Sequence, residues 1–226
     1  MLYRVVLAFI FTWFAALAQA EATLTVTARG EVRAIPDMAT VTLGVESRER
    51  TALAATRAAS DKIAAILDLL GQVGVAGEDI QTTSVTLTPI YEPRRPDLNR
   101  APRLEGFEAG NTLKVVVRQL DNIGPILDAV IEAGANSFRG LSFGLQDPEF
   151  ALEDARKEAV TKAMAKAQTY ATAAGMTRGP IISIQEGSRV IAQPEFARAM
   201  MASDAVPVAP GSVTMAADVT IVFSLK

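Results

Sequence analysis

The chain has 226 residues, half of them apolar, with 22 basic and 25 acidic side chains and a formal charge of −3; that is room for one large domain or two small ones, and too weak a charge, with no long basic run, for nucleic acid to be the main partner. It has no cysteine, which excludes disulfides, thiolate metal sites and thiol nucleophiles. It has no histidine either, so the commonest general base and metal ligand are missing, catalysis would fall to carboxylates, lysines, tyrosines or hydroxyls, and no cofactor or metal is expected.

Residues 1–20 open with Arg4, continue with an apolar run from Val5 to Leu17 and end in Ala18-Gln19-Ala20. That is the layout of a cleaved secretory signal, and its roughly 13 apolar residues fall short of the roughly 20 that a spanning helix needs. Removing it leaves 21–226, with no membrane span expected. Leu24, Val26 and Ala28 alternate with threonines as in a half-buried strand. Gly30 is expected to break that strand and Pro36-Asp37 to turn the chain into a second one, with Val41, Leu43 and Val45 inward. From about Thr51 the period lengthens: Ala52, Thr56, Ala59, Ile63, Ile66 and Leu70 make one helix face, stopped by Gly71 and Gly74. Asp79–Tyr91 reads as a strand with Val85, Leu87 and Tyr91 on one face.

Residues 92–106 hold three prolines and four arginines without apolar periodicity, and are expected to be a solvated loop. Phe107–Arg118 is the next strand; Asp121 is placed as the cap of a short helix that tolerates Pro125 in its first turn and ends at Gly134. After a strand over Phe138–Leu145, Asp147-Pro148-Glu149 opens a long helix running to about Ala174, with Gly175 behind it. Ile181–Gln185 is a short strand, residues 190–212 a second long loop, and Val219–Leu225 the final strand.

At an offset of 100 residues, Leu43-Gly44-Val45 falls on Phe143-Gly144-Leu145, Glu49 on Glu149, Ala55 on Ala155 and Lys62 on Lys162. This suggests an internal strand-helix-strand duplication, with halves at 39–91 and 138–186. Strands paired between helices, rather than alternating with them, point to an α+β fold of mainly antiparallel sheet packed by two long helices and one short one.

Several residue groups invite a chemical reading. Gly140-Leu141-Ser142-Phe143-Gly144 matches G-x-S-x-G, but Ser142 falls inside a strand and no histidine exists to take its proton. Ser60 and Lys62 lie on different sides of their helix, so they make no serine–lysine dyad. Glu49, Asp147, Glu149, Glu153 and Asp154 gather near helix starts, where capping and the helix dipole account for acids. Ala151, Ala155, Ala159, Ala163, Ala167 and Ala171 form a slanting ridge that lets a neighbouring element approach closely, first within the chain and next in a subunit contact. Arg94, Arg95, Arg100 and Arg103 in one loop, and Met200 and Met201 in the other, are candidate interaction residues for an anionic or hydrophobic ligand.

Arg29-Gly30-Glu31-Val32 with Pro36-Asp37, the strand after Phe107-Glu108-Ala109, Leu120-Asp121, Ala133-Gly134-Ala135-Asn136, Asp154-Ala155-Arg156-Lys157-Glu158-Ala159 and Pro207-Val208-Ala209-Pro210-Gly211 follow one another in a fixed order. Together they resemble the SIMPL-domain family of bacterial envelope proteins, the YggE-like group that includes a 28 kDa outer-membrane antigen. The resemblance implies one SIMPL domain over 21–226, an α+β fold, a periplasmic or outer-membrane-associated location and a link with defence against oxidative stress. It carries over no catalytic residue. Gly30, Pro36, Asp37, Gly134, Asn136, Asp154, Ala155, Arg156, Ala159 and Gly211 are therefore read as fold-makers, and Arg29 stands where the family usually has a further glycine. The expected function is that of a non-enzymatic exported envelope protein that self-associates and acts in oxidative or envelope stress. The alternatives are a periplasmic binding module for an envelope ligand and a carboxylate-dependent hydrolase of envelope sugars.

Overall fold

The computed structural model describes residues 22–93, 101–187 and 209–226, so the expected signal segment, residues 94–100 of the first long loop and most of the second lie outside it. The described residues form seven strands and three helices of an α+β protein, in two antiparallel sheets. The chain divides into two compact units.

One unit holds β2 (Met38–Glu49), α1 (Ala52–Gln72), β3 (Ile80–Tyr91), β4 (Leu104–Val117), α2 (Ile123–Glu132) and β5 (Ser137–Gly144), with sheet order β3-β4-β2-β5. The register of β2 on β4 sets Val41 opposite Val115 and Leu43 opposite Leu113, so the alternating apolar residues of both strands share one face. Helices α1 and α2 cover it with Ile63, Ile66, Leu70, Ile123, Ile126, Leu127 and Val130. Each such side chain, when fully buried, contributes about 1.5–3 kcal/mol. The Thr51 hydroxyl accepts the Ala54 N–H and starts α1. The inward face then takes Ala55 where Thr56 was expected; Thr56 is exposed and bonds the Ala52 carbonyl. Asp121 does not cap α2 but lies in a 3-10 turn over Leu120–Asn122 just before it.

The second unit holds β1 (Thr23–Ala34), α3 (Glu149–Ala173), β6 (Arg178–Glu186) and β7 (Val213–Leu225), with sheet order β1-β7-β6. Leu225 N–H donates to Ala22 O, Thr27 meets Thr220, and Arg29 meets Asp218, so β1 runs antiparallel to β7 in constant register. Val26, Val219, Ile221 and Phe223 face Ala159, Ala163 and Ala167 of α3. The alanine ridge therefore serves close helix-on-sheet packing within this unit. Gly30 does not break β1, which continues to Ala34. The glycine is there because a Cβ at that point would overlap the Ala155 carbonyl and lie 2.5 Å from Ala159 N.

All three helices end the same way. Gly74, Gly134 and Gly175 have φ of +84°, +107° and +69°. The next residue in each case, Val75, Ala135 or Met176, returns its N–H to Leu70, Val130 or Ala171. Gly71 lies within α1, so Gly74 alone ends that helix. Of the stretches related by the 100-residue offset, β2 and β5 pair with each other, whereas α1 and α3 lie in different units.

Among the described residues the sheet edges are all modified. On β1, the Glu158 carboxylate accepts the Glu31 N–H and Lys166 Nζ donates to the Thr27 carbonyl. Glu92 N–H bonds across to Arg103 O, which by alternation turns position 89 outward, where Pro89 has no N–H to offer a further strand. β5 bulges opposite Thr42/Leu43, and β6 shifts register twice against β7. Bulges, prolines and edge charges of this kind discourage strand addition.

Candidate functional site

The residues that carry the family resemblance fall into three local constructions. In the first, Ala155 and Ala159 bring α3 onto Gly30, while their neighbours tie the helix down. Arg156 Nε donates to Glu186 at 2.9 Å, Lys157 pairs with Glu153 and Asp154, and Glu158 holds Glu31. Arg29 is used as well, in a bidentate pair with Asp218 at 2.9 and 2.8 Å. The second construction holds the entry and exit of β5. Asp37 Oδ1 accepts Gln146 N–H at 2.7 Å, Asp37 N–H donates to Gly144 O, and Pro36 is buried beside them. At the other end Asn136 imitates a strand residue: its Oδ1 accepts Glu46 N–H at 2.7 Å and its Nδ2 donates to Glu46 O at 2.8 Å. Beyond the last ladder pair, β2 would otherwise leave both groups unbonded. The third is Gly211, whose φ of +61° turns the chain into β7.

Asn136 thus gives a direct test. Asn136→Asp keeps the acceptor, removes the donor and sets a carboxylate against the Glu46 carbonyl. Because the site is exposed, the expected loss is about 1–2 kcal/mol, with Asn136→Ala close behind. Urea unfolding of the two variants measures it.

Of the five acids singled out in the sequence, Glu49 and Asp147 belong to one unit and Glu149, Glu153 and Asp154 to the other. Glu49 ends β2, Asp147 precedes α3, and Glu149, Glu153 and Asp154 occupy its first turns, where Arg156 and Lys157 pair with them. A general acid needs a carboxyl whose pKa is raised. Two carboxylates among the described residues are shifted the other way. Glu158 is held low by the Glu31 N–H first and Lys162 second, and Asp218 by the hydrogen bond from Arg29. No group of three or more acids among the described residues could hold a metal ion.

Those two lowered values set a pH dependence. A carboxylate with a depressed folded pKa adds stability above its unfolded value, near 4, and that contribution disappears as pH falls through the folded value. With no histidine in the chain, the urea midpoint is expected to stay level from about pH 8 to 5 and to fall below about pH 4. Glu158→Gln and Asp218→Asn should flatten that acid limb, which midpoints measured at intervals down to pH 3 will reveal.

Ser142 lies in β5 opposite Thr40, as its strand pattern implied. Ser60 and Lys62 are not paired. Lys62 reaches instead to the Ser47 hydroxyl at 3.5 Å, and Ser47 is buried on the α1 side of β2, where a substrate carbonyl has no approach. Arg103 is exposed, and its carbonyl receives Glu92 N–H. Arg94, Arg95, Arg100, Met200 and Met201 lie outside the described residues.

Sequence reasoning missed the most buried acid among the described residues. Asp79, only 8% exposed, binds Arg118 in a bidentate pair at 2.7 and 2.7 Å, and Glu78 stands 3.7 Å from the same guanidinium. The pair borders a cleft of about 330 Å³, walled by Val75, Val117, Ile126, Gln119 and Asn122. Asn122 donates to Gln119 there. The cleft offers apolar contact with a few convergent polar groups, the usual make-up of a small-molecule site near the lower end of the size range. The two partners are 39 residues apart, and no local pattern announces them.

Comparison with known proteins gives a consistent result. A family model described as SIMPL, protein of unknown function (DUF541), matches residues 24–223. The 26 kDa periplasmic immunogenic protein of Brucella melitensis biotype 1 is 35% identical over 214 residues, covering 91% of this chain and 85% of that one. The uncharacterised protein YggE of Escherichia coli K12 is 30% identical over 177 residues, covering 78% and 70%. YggE of Edwardsiella ictaluri is 31% identical over 154 residues, covering 68% and 63%.

Proposed function

The chain belongs to the SIMPL family, and on that footing we propose that it is an exported, non-enzymatic protein of the bacterial cell envelope that self-associates and acts in oxidative or envelope stress. One observation carries the non-enzymatic part. The residues that mark the family, from Gly30 through Asn136 to Arg156, are spent on packing, main-chain hydrogen bonds and ion pairs, and Asp154 beside them is paired with Lys157. Export is supported by the signal layout of residues 1–20 and by the periplasmic naming of the Brucella relatives. Self-association has lost the alanine ridge as a candidate surface. It is left with exposed apolar side chains such as Val85 on β3 and Ile182 and Ile184 on β6.

Fractionation of cells expressing the full chain tests the location, and a cytoplasmic product of full length would overturn it. Light scattering of the purified protein tests assembly, which a monomer at its highest soluble concentration would remove. A deletion strain challenged with peroxide, and separately with envelope-damaging agents, tests the stress role. Growth indistinguishable from the parent in both would end it.

The Asp79–Arg118 cleft favours a second reading, a binding module for a small envelope ligand. Thermal-shift screening with cell-wall fragments and lipids tests it, since a ligand of the native state raises the melting temperature. The shift should vanish in Gln119 and Asn122 variants.

A further inference from the structure

We propose that Met164 is an oxidation site whose sulfoxide is held in the fold by Arg178. Arg178 begins β6 and points its guanidinium at α3. Its Nη1 donates to Met164 Sδ at 3.5 Å, its Nε reaches Gln168 Oε1 at 3.5 Å, and its Cζ lies 5.2 Å from the centre of the Phe223 ring. No carboxylate among the described residues pairs with it. Arg178 is partly buried, and a thioether, an amide oxygen and an aromatic face are the partners of its guanidinium. Sulfur is the weakest acceptor of these.

Met164 is itself partly exposed, unlike Met215, which is 6% exposed. A peroxide can reach it. One oxygen atom passes from hydrogen peroxide to a sulfur lone pair, the O–O bond breaks, the sulfur is oxidised by two electrons and water leaves. The product is a sulfoxide, polar and a far stronger acceptor than the thioether. In most packed positions that oxygen is an uncompensated polar group and loosens the core. Beside Met164 a cationic donor already stands at hydrogen-bonding distance from the sulfur, so the new oxygen gains a charge-assisted bond with only a side-chain adjustment. Oxidation there exchanges a weak contact between α3 and β6 for a strong one.

The experiment treats the purified protein with hydrogen peroxide, maps sulfoxides by peptide mass spectrometry and compares melting temperatures before and after. Met164 is expected to convert alongside the partly exposed Met38 and Met176, with the melting temperature of Met38→Leu/Met176→Leu protein kept within about 2 °C. In Arg178→Leu the same treatment should lower it by at least about 5 °C. Met164→Gln, whose amide oxygen imitates the sulfoxide, gives a reading without oxidant. It should melt close to wild type with Arg178 present, and several degrees lower in Arg178→Lys, which keeps the charge but not the forked, ring-stacked geometry. Met164 staying reduced while Met176 converts would overturn the proposal. So would an oxidised protein that loses as much stability with Arg178 as without it, or, should Arg178→Leu fail to fold, Met164→Gln protein equally stable with Arg or Lys at 178.

Discussion

Gly30→Ala is expected to destabilise the protein by at least about 3 kcal/mol, although it adds one methyl group. Overpacking usually costs about 1–3 kcal/mol because side chains yield. Here the added carbon meets backbone: it would overlap the Ala155 carbonyl and lie 2.5 Å from Ala159 N. Relief requires α3 to lift from β1, which loosens the layer where Ala159, Ala163 and Ala167 touch Val26, Ile221 and Phe223. It also draws Glu158 away from Glu31 and Lys166 from Thr27. Gly140→Ala is the control, since a Cβ there meets nothing within 4 Å, and it should change stability by less than about 0.5 kcal/mol. Urea unfolding followed by circular dichroism compares the two. Equal midpoints would mean that the helix and the sheet do not meet this closely.

The second large effect lies in the four-stranded unit. Arg118→Leu leaves the Asp79 carboxylate 8% exposed without its counter-charge, and breaking a buried pair from one side costs about 3–5 kcal/mol. Arg118 is itself half exposed, so a loss of about 2–4 kcal/mol is expected. One feature separates this from a simple loss of packing. Asp79→Asn in the Arg118→Leu background should recover part of the loss, because the stranded charge is gone. If Arg118→Leu is as stable as wild type at pH 7, the pair contributes nothing net and is a surface contact.

Local sequence signals located the elements well wherever the cause was local. Alternation in Val41, Leu43 and Val45, the three- and four-residue spacing of Ile63, Ile66 and Leu70, and the glycines behind each helix all act within a few residues, and the structure follows them. Errors arose where a distant partner decides. Gly30 looked like a strand breaker because glycine weakens strands on its own; only the presence of α3, more than a hundred residues later, makes it a place of close approach. Thr56 and Ala55 both fit an amphipathic face, and the small space opposite Ala109 selects the alanine. Asp79, Arg118 and Asp218 carry no local signal, because an isolated charge beside a strand reads as solvent-facing. Pairing register, which brings Asp218 opposite Arg29, is invisible in either segment alone. The resemblance marks Asn136 as a structural residue, but its role as a surrogate strand residue depends on where the pairing of β2 with β5 stops.

The guarded edges of both sheets have a bearing on the protein's behaviour at high concentration. Outward carbonyls and amides on β1 are already engaged by Glu158 and Lys166, Pro89 leaves a gap in the donors of β3, and irregular pairing distorts β5 and β6. The native state is thus a poor template for amyloid seeding or runaway strand exchange, and fibrils should form only after unfolding.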